Sequence, residues 1–330
     1  MDDYSESQSR DQFICQRFSA LRNKKLYTGR LLGVTGSMMT KNPAFSDDLP
    51  FQPRILAIQS AVLVGAVGND AAIPVYTHFR QKAARLDTVR LAAHPGFQAG
   101  FSDITPAASL AALLEDFIRL PHIALPEAVQ TGYFGAADQI APVASFLGQC
   151  RKQGDSFYVL DPVLGDAGKL YVDPAIAVAM QEKLLPLADL MTPNAFELGW
   201  LSGRNIASLA DAEQAAGELL ANSGQRLRGI FATGIDAGEG RIADMLVTPE
   251  GMKTFTHPRK SHGVSGSGDV LSALVISFFL RSKNLEDACQ QASQLIRDMI
   301  AGTSSPLGLD VARLLAEASP KVYPLFSLRL

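Results

Sequence analysis

His262-Gly263-Val264-Ser265-Gly266-Ser267-Gly268-Asp269, followed by the apolar run 270–280, decides how the rest of the chain is read. The loop is rich in Gly and Ser, a helix-like apolar segment starts directly behind it, and one carboxylate stands at the junction. The first N–H groups of a helix have no intrahelical partner, and with the macrodipole they form an anion site. Glycines let the backbone curl into an anion nest and let a phosphate come close. A carboxylate beside a phosphate repels it unless its charge is used, and taking a proton from an attacking hydroxyl is such a use. The plain alternative is a loop with Asp269 as helix N-cap, because short Gly-rich patterns also match by chance.

Outward from that loop, the 330 residues are 47% hydrophobic and 19% charged, with a net charge of −3. This is the balance of a globular protein with a large core. It excludes a broad basic surface for nucleic acid or for an anionic membrane, so any anion site is local and the expected partner is a small molecule. Cys15, Cys150 and Cys289 are far apart and in no metal-ligand spacing, which reads as reduced thiols in a cytoplasmic protein. The run 270–280 is too short to span a bilayer. Met1-Asp2-Asp3-Tyr4-Ser5-Glu6 has neither the basic region nor the apolar stretch of a signal peptide.

Residues 1–52 are polar and weakly periodic and read as a flexible N-terminal extension, with Met38 or Met39 as alternative starts. One domain is expected over 53–330. Residues 54–60 have a buried-strand pattern, Gly65, Gly68 and Asn69 form a turn, 70–85 has helical spacing, and 86–92 is a second strand. An excursion from the sheet is expected over 97–105. Further helices are expected over 106–120 with Thr105 as cap, over 138–150, from Asp173-Pro174 to 183, over 208–223 and 285–300, and from Asp310. Strands at 128–133, 157–160, 190–191 and 229–234 alternate with them, and 242–247 and 252–256 make a hairpin about Pro249-Glu250-Gly251. The alternation predicts an α/β fold, a mostly parallel central sheet with helices on both faces in three layers. In such sheets ligands lie beyond the C-terminal ends of the strands, where Ser60, His94, Tyr133, Asp161 and Asp166 fall.

Asp161 and Asp166 share one loop, Asp161-Pro162-Val163-Leu164-Gly165-Asp166. Two carboxylates without a basic residue between them repel, unless a cation relieves them. Mg²⁺ suits that role, since it is held by one or two carboxylates together with nucleotide phosphates. The structural alternative has Asp161 capping a turn while Asp166 pairs with Lys169 in solvent. Thr192-Pro193-Asn194 with Glu197 is a capping box in which Asn194 caps a helix, and Glu197 can also order water on a metal. His94 reads first as a loop hydrogen-bonding residue and then as a ligand contact, Ser60 is ambiguous between the two, and Tyr133 packs by default as an isolated aromatic, with stacking on an aromatic ligand as the alternative.

In order and spacing, several stretches are similar to the pyridoxal kinase branch of the ribokinase-like family over roughly 54–330. They are Ile58-Gln59-Ser60 with Gly65, Val67, Gly68 and Asn69; Thr88-Val89 with His94; Thr131-Gly132-Tyr133; the two-aspartate loop with Leu170-Tyr171-Val172; residues 188–197; and Gly266-Ser267-Gly268-Asp269. The resemblance implies ATP-dependent phosphorylation of the 5′-hydroxymethyl group of pyridoxal, pyridoxine or pyridoxamine, by a homodimer with Mg²⁺ and often a monovalent cation such as K⁺. It implies Asp269 as base, Gly266, Ser267 and Gly268 as anion hole, and Asp161, Asp166 and Glu197 as carboxylates on the metal side. Asp161, Tyr171, Thr192, Asn194 and Thr233 would face the nucleotide. Ser60, Val67, Val89, His94 and Tyr133 would line the pyridine site.

The chain departs from that family in two places. The usual Gln-Ser-His is Gln59-Ser60-Ala61, and the usual Ser-Asn-His is Ala92-Ala93-His94. Both lie on the vitamin side. The rival readings are a hydroxymethylpyrimidine kinase, with the same phosphate apparatus, and a vitamin or nucleotide sensor without catalysis. A pure binder has no need of a base, so Asp269 behind a glycine turn speaks against the sensor.

Overall fold

The computed structural model describes residues 52–94, 100–120, 123–224, 226–260, 263–303 and 308–322, the last five as backbone. The extension expected at 1–52 lies outside them apart from Gln52, as do Cys15, His262, and residues 95–99, of which 97–99 open the expected excursion.

Nine strands form one sheet in the order β11-β10-β9-β8-β5-β4-β1-β2-β3. They are β1 (Ile55–Val64), β2 (Ala83–Ala93), β3 (Ser102–Ile104), β4 (Ala128–Thr131), β5 (Phe157–Leu160), β8 (Leu190–Met191), β9 (Gly229–Asp236), β10 (Arg241–Thr248) and β11 (Gly251–Pro258). The inner pairs β2/β1, β1/β4, β4/β5, β5/β8 and β8/β9 are parallel. Both edges turn antiparallel, at β3 and at the β10–β11 hairpin. The expected α/β architecture is the observed one.

The central parallel strands β4, β5 and β8 are buried throughout, which is why they are short runs without alternation. One face packs on α1 (Asn69–His78), α7 (Ser267–Ser282), α8 (Leu285–Ala301) and α9 (Val311–Val322). The other packs on α3 (Ile140–Gln153), α4 (Pro174–Ala179), α5 (Ala195–Ser202) and α6 (Leu209–Asn222), with Leu114 of α2 (Ala107–Arg119). Every residue of α7 from Val270 to Leu280 is buried. A helix apolar all round is a central one, so truncating Leu274 to alanine there would cost about 2–5 kcal/mol.

Several local expectations are corrected. The helix expected over 70–85 ends at His78, because Arg80 takes a left-handed φ of 55° and residues from Ala83 onward pair with β1 instead. Pairing along a buried parallel strand outweighs the weak helical propensity of this stretch. Thr105 does not cap α2. Its hydroxyl donates to the Asp87 carbonyl oxygen at 2.7 Å, and the preceding Ser102–Ile104 is an edge strand, not a departure from the sheet. The helix opened by Asp173 passes at Met180 into a π turn, Met180–Leu184, and then a 3₁₀ turn at Leu185–Leu187. The two-aspartate loop contains a small hairpin, β6 (Gly165–Asp166) with β7 (Lys169–Leu170), turned by Ala167 and Gly168 at φ 50° and 79°.

Candidate active site

α7 begins at Gly266, whose φ is 82°. A side chain there would collide with the carbonyl oxygen of Ala66, and Val67 lies against the same position. Gly68 is held as tightly against the Ser60 main chain and hydroxyl. The loop 65–68 behind β1 and the turn before α7 therefore touch backbone to backbone. Asp269 sits in the first turn of α7, half-buried. Desolvation pushes its carboxyl up to about 6, and a hydrogen bond from the Gly68 backbone opposes the rise. Gln130 of β4 reaches the Asp269 carbonyl with its Nε2 at 3.5 Å, and its Oε1 accepts from Tyr76 at 2.5 Å.

Asp161 follows β5 and is buried. Burial and the nearby Asp269 charge raise its pKa to about 7, while Ser272 and Thr192 lower it through hydrogen bonds. Ser272 donates to Asp161 Oδ2 at 2.6 Å and lies 3.2 Å from the Thr192 hydroxyl. Sequence reasoning missed Ser272 because it is embedded in the apolar run of α7. The available signal was one hydroxyl a single helical turn after Asp269, on the same face.

Glu197 is buried at the start of α5, and burial followed by the Asp161 charge holds its pKa well above the usual range. It forms the expected capping box: Asn194 N–H donates to its Oε2 at 2.8 Å, and Glu197 N–H donates to Asn194 Oδ1 at 2.9 Å. Its other oxygen accepts from Leu164 N–H at 3.0 Å, and Asn194 Nδ2 donates to Gly165 O at 2.8 Å. Glu197 and Asn194 thus clamp the loop after Asp161 to the entry of α5. Thr233 of β9 is bridged to Asn194 and donates its N–H to Pro193 O at 2.9 Å. Tyr171 is 51% exposed. Burial of its hydroxyl and then Glu197, Asp269, Asp161 and Asp166 all push its pKa up, so the phenol stands over this acidic group.

The expected trio on the metal side does not converge. Asp166 is exposed at the β6–β7 turn, where its Oδ1 accepts from Ala167 N–H at 2.7 Å. Among the described residues no three His, Cys, Asp or Glu side chains form a metal cluster. Asp161 and Glu197, both buried, and the half-buried Asp269 form an acidic group in which Asp161 feels the Asp269 charge and Glu197 feels the Asp161 charge, and among the described residues no lysine or arginine contributes to their shifts. A divalent cation brought with phosphates would relieve that repulsion, so the residues fit Mg²⁺ at Asp161 with Glu197 behind it.

Of the residues expected to line a pyridine site, Ser60, Val67 and Val89 are buried, while His94 and Tyr133 are half-buried, with desolvation lowering the pKa of the first and raising that of the second. The Tyr133 carbonyl accepts from Thr88 at 2.6 Å. Among the described residues no helix is long and apolar enough to cross a membrane, and Cys150 and Cys289 are buried free thiols.

Residues 107–312 match the family described as phosphomethylpyrimidine kinase, more than half of the chain. The chain is 32% identical over 255 residues to the pyridoxal kinase PdxY of Deinococcus radiodurans, covering 72% of this chain and 83% of that one. It is 28% identical over 267 residues to a pyridoxine/pyridoxal/pyridoxamine kinase of Bordetella bronchiseptica, covering 79% and 93%. Among solved structures it resembles the pyridoxal kinase of Leishmania donovani in complex with ADP and pyridoxine. There the TM-score is 0.73 and the identity 26%, over 82% of this chain and 96% of that one.

Proposed function

Because this chain belongs to the phosphomethylpyrimidine kinase family and is a kinase of the pyridoxal type within it, we propose that it moves the γ-phosphoryl group of ATP to the 5′-hydroxymethyl group of pyridoxal, pyridoxine or pyridoxamine, with Asp269 as base. The observation that carries this is the position of Asp269, in the first turn of α7 behind Gly266, Ser267 and Gly268, and hydrogen-bonded across to Gly68 of the acceptor loop.

The residues divide the work. The amides of Gly266 and Gly268 and the N-terminal end of α7 stabilise charge on the phosphoryl group in flight, while the Ser267 amide donates to the Val264 carbonyl at 3.2 Å and shapes the turn. Asp269, raised to about 6, is still ionised at neutral pH and accepts the hydroxyl proton late, as the oxygen bonds to phosphorus. Asp161 and Glu197 would hold Mg²⁺, which neutralises phosphate charge when bound. Thr192, Asn194, Thr233 and Tyr171 face the nucleotide, with Asn194 acting by holding its loop. Ser60, Val67, Val89, His94 and Tyr133 line the acceptor pocket. The kinase domain spans 53–330, and a cytoplasmic homodimer belongs to the same proposal.

The test is incubation with Mg-ATP and a panel of pyridine and pyrimidine alcohols, reading which gains phosphate. Pyridoxal or its vitamers should be the best acceptors, and a panel in which none gains phosphate would remove the proposal. A second reading, phosphorylation of a hydroxymethylpyrimidine, is favoured by the family match and by Ala61 and Ala93 on the vitamin side. Preference for the pyrimidine in direct competition would establish it.

A further inference from the structure

The resemblance implies a monovalent cation, and the chain supplies a competitor for one. Lys260 lies between β11 and the turn that leads to Gly266. Its ammonium donates to the carbonyl oxygens of Ile300, of Thr303 at 3.0 Å and of Ala301 at 3.4 Å, all at the C-terminal end of α8. The last carbonyls of a helix are unpaired and carry the negative end of the macrodipole. Main-chain carbonyls converging on one point are the chemistry that strips and replaces the hydration shell of a potassium ion. An ammonium has three donors and no acceptor, so three carbonyls saturate it. Further along the chain Gly308 lies near the Ala66 backbone, and Ala66 is the residue against which Gly266 is packed.

We propose that the Lys260 ammonium is a built-in monovalent cation: it fills the carbonyl site at the end of α8 that a free potassium ion would need, and turnover is therefore independent of added K⁺. A tethered charge outcompetes a free ion of equal charge because its local concentration is set by the chain. The residues accordingly do not fit a bound K⁺, and no step of the reaction passes through one. This inference rests on the kinase reading above for its activity assay, but not for its binding assay.

The experiment uses the full chain in tetramethylammonium buffers at constant ionic strength, with Mg-ATP as its tetramethylammonium salt. Wild-type turnover should change by less than about twofold when K⁺ or NH₄⁺ replaces tetramethylammonium, because the cage is already filled. Lys260→Met should lose roughly tenfold in kcat or more and regain most of it with K⁺ or NH₄⁺, the signature of an emptied cation site. Lys260→Arg should be rescued less, because its planar fork matches three converging carbonyls poorly. In parallel, K⁺ should raise the melting temperature of Lys260→Met and leave that of the wild type unchanged. A wild type that needs K⁺, a Lys260→Met protein fully active without it, or a folded Lys260→Met protein that no small cation rescues or stabilises would each overturn the proposal. If no alcohol is phosphorylated under any cation, the kinase reading fails, and the melting measurements still decide the role of Lys260.

Discussion

The proposed phosphate side of the site and the proposed acceptor side are built from different parts of the sheet. The phosphate side hangs on the inner strands β5, β8 and β9, and Asp161, Thr192, Ser272 and Glu197 hold one another and their loops through hydrogen bonds. The acceptor side hangs on β1, β2 and β3. There β4 accompanies β1 only as far as Ile58, so the remainder of β1 overhangs with β2 alone. Leu63 is 86% exposed at its tip, and Val64, Phe101 and Ile104 are exposed around it. One half is a fixed electrostatic apparatus, suited to chemistry common to many alcohols. The other, apart from the loop 65–68 that abuts the glycine turn, is a surface whose side chains can vary without disturbing that chemistry.

If the comparison is right, damage to the inner half should appear in turnover and damage to the overhang in substrate preference. The largest effect is expected for Asp269→Asn, which should lower kcat by about 10²-fold or more while leaving ATP binding within a few-fold. Near-normal turnover by that variant would remove Asp269 from its role. Gly266→Ala should follow, losing roughly tenfold or more in kcat together with thermal stability. It forces a β-carbon onto a left-handed residue and into the Ala66 carbonyl.

Next comes Asp161→Asn, which should raise the Mg²⁺ concentration needed for half-maximal rate by about tenfold. The acid limb of kcat/KM is expected near the Asp269 value of about 6. It should stay there in Asp161→Asn, because burial raises Asp269, and Asp161, at about 7, is already largely protonated where Asp269 titrates. A limb that moves with Asp161→Asn would assign it to the other carboxylate.

Both groups have folded-state values, about 7 and about 6, above the ordinary aspartate value of 3.8. The folded chain therefore holds more protons than the unfolded one between pH 4 and 7. Their contribution to the stability of the ligand-free protein should accordingly be greatest below that window and be lost as pH rises through it, and Asp161→Asn should remove the Asp161 share of that slope. Calorimetric melting across this range, with and without Mg-ATP, checks the sign, and bound Mg²⁺ should flatten the slope. The smallest effect is expected for Ala93→Asn, which should change the KM for pyridoxal a few-fold while leaving that for ATP alone. An effect on ATP would blur the division between the halves.

The inner half was also the more legible in the amino-acid order. Asn194 with Glu197 reads as a capping box and is one, because that pattern is local and its hydrogen bonds close within one turn. The glycine turn before α7 and the alternation of strands and helices are likewise short-range signals. What escaped the sequence depends on partners far along the chain. Ser272 meets Asp161 across 111 positions, and Gln130 meets Asp269 across 139. Asp166 looked like half of a carboxylate pair by spacing, but the left-handed Ala167 turns its carboxylate onto its own backbone. The end of α1 was misread because helical spacing persists through residues that a neighbouring strand claims.

The abutment of Ala66 on Gly266 leaves protein engineers little freedom. Libraries meant to widen the pocket for bulkier alcohols cannot diversify loop 65–68 without displacing the turn that receives the phosphoryl group, since the two share one van der Waals surface. Diversity belongs on the far rim, at His94 and Tyr133, where side chains are only half-covered.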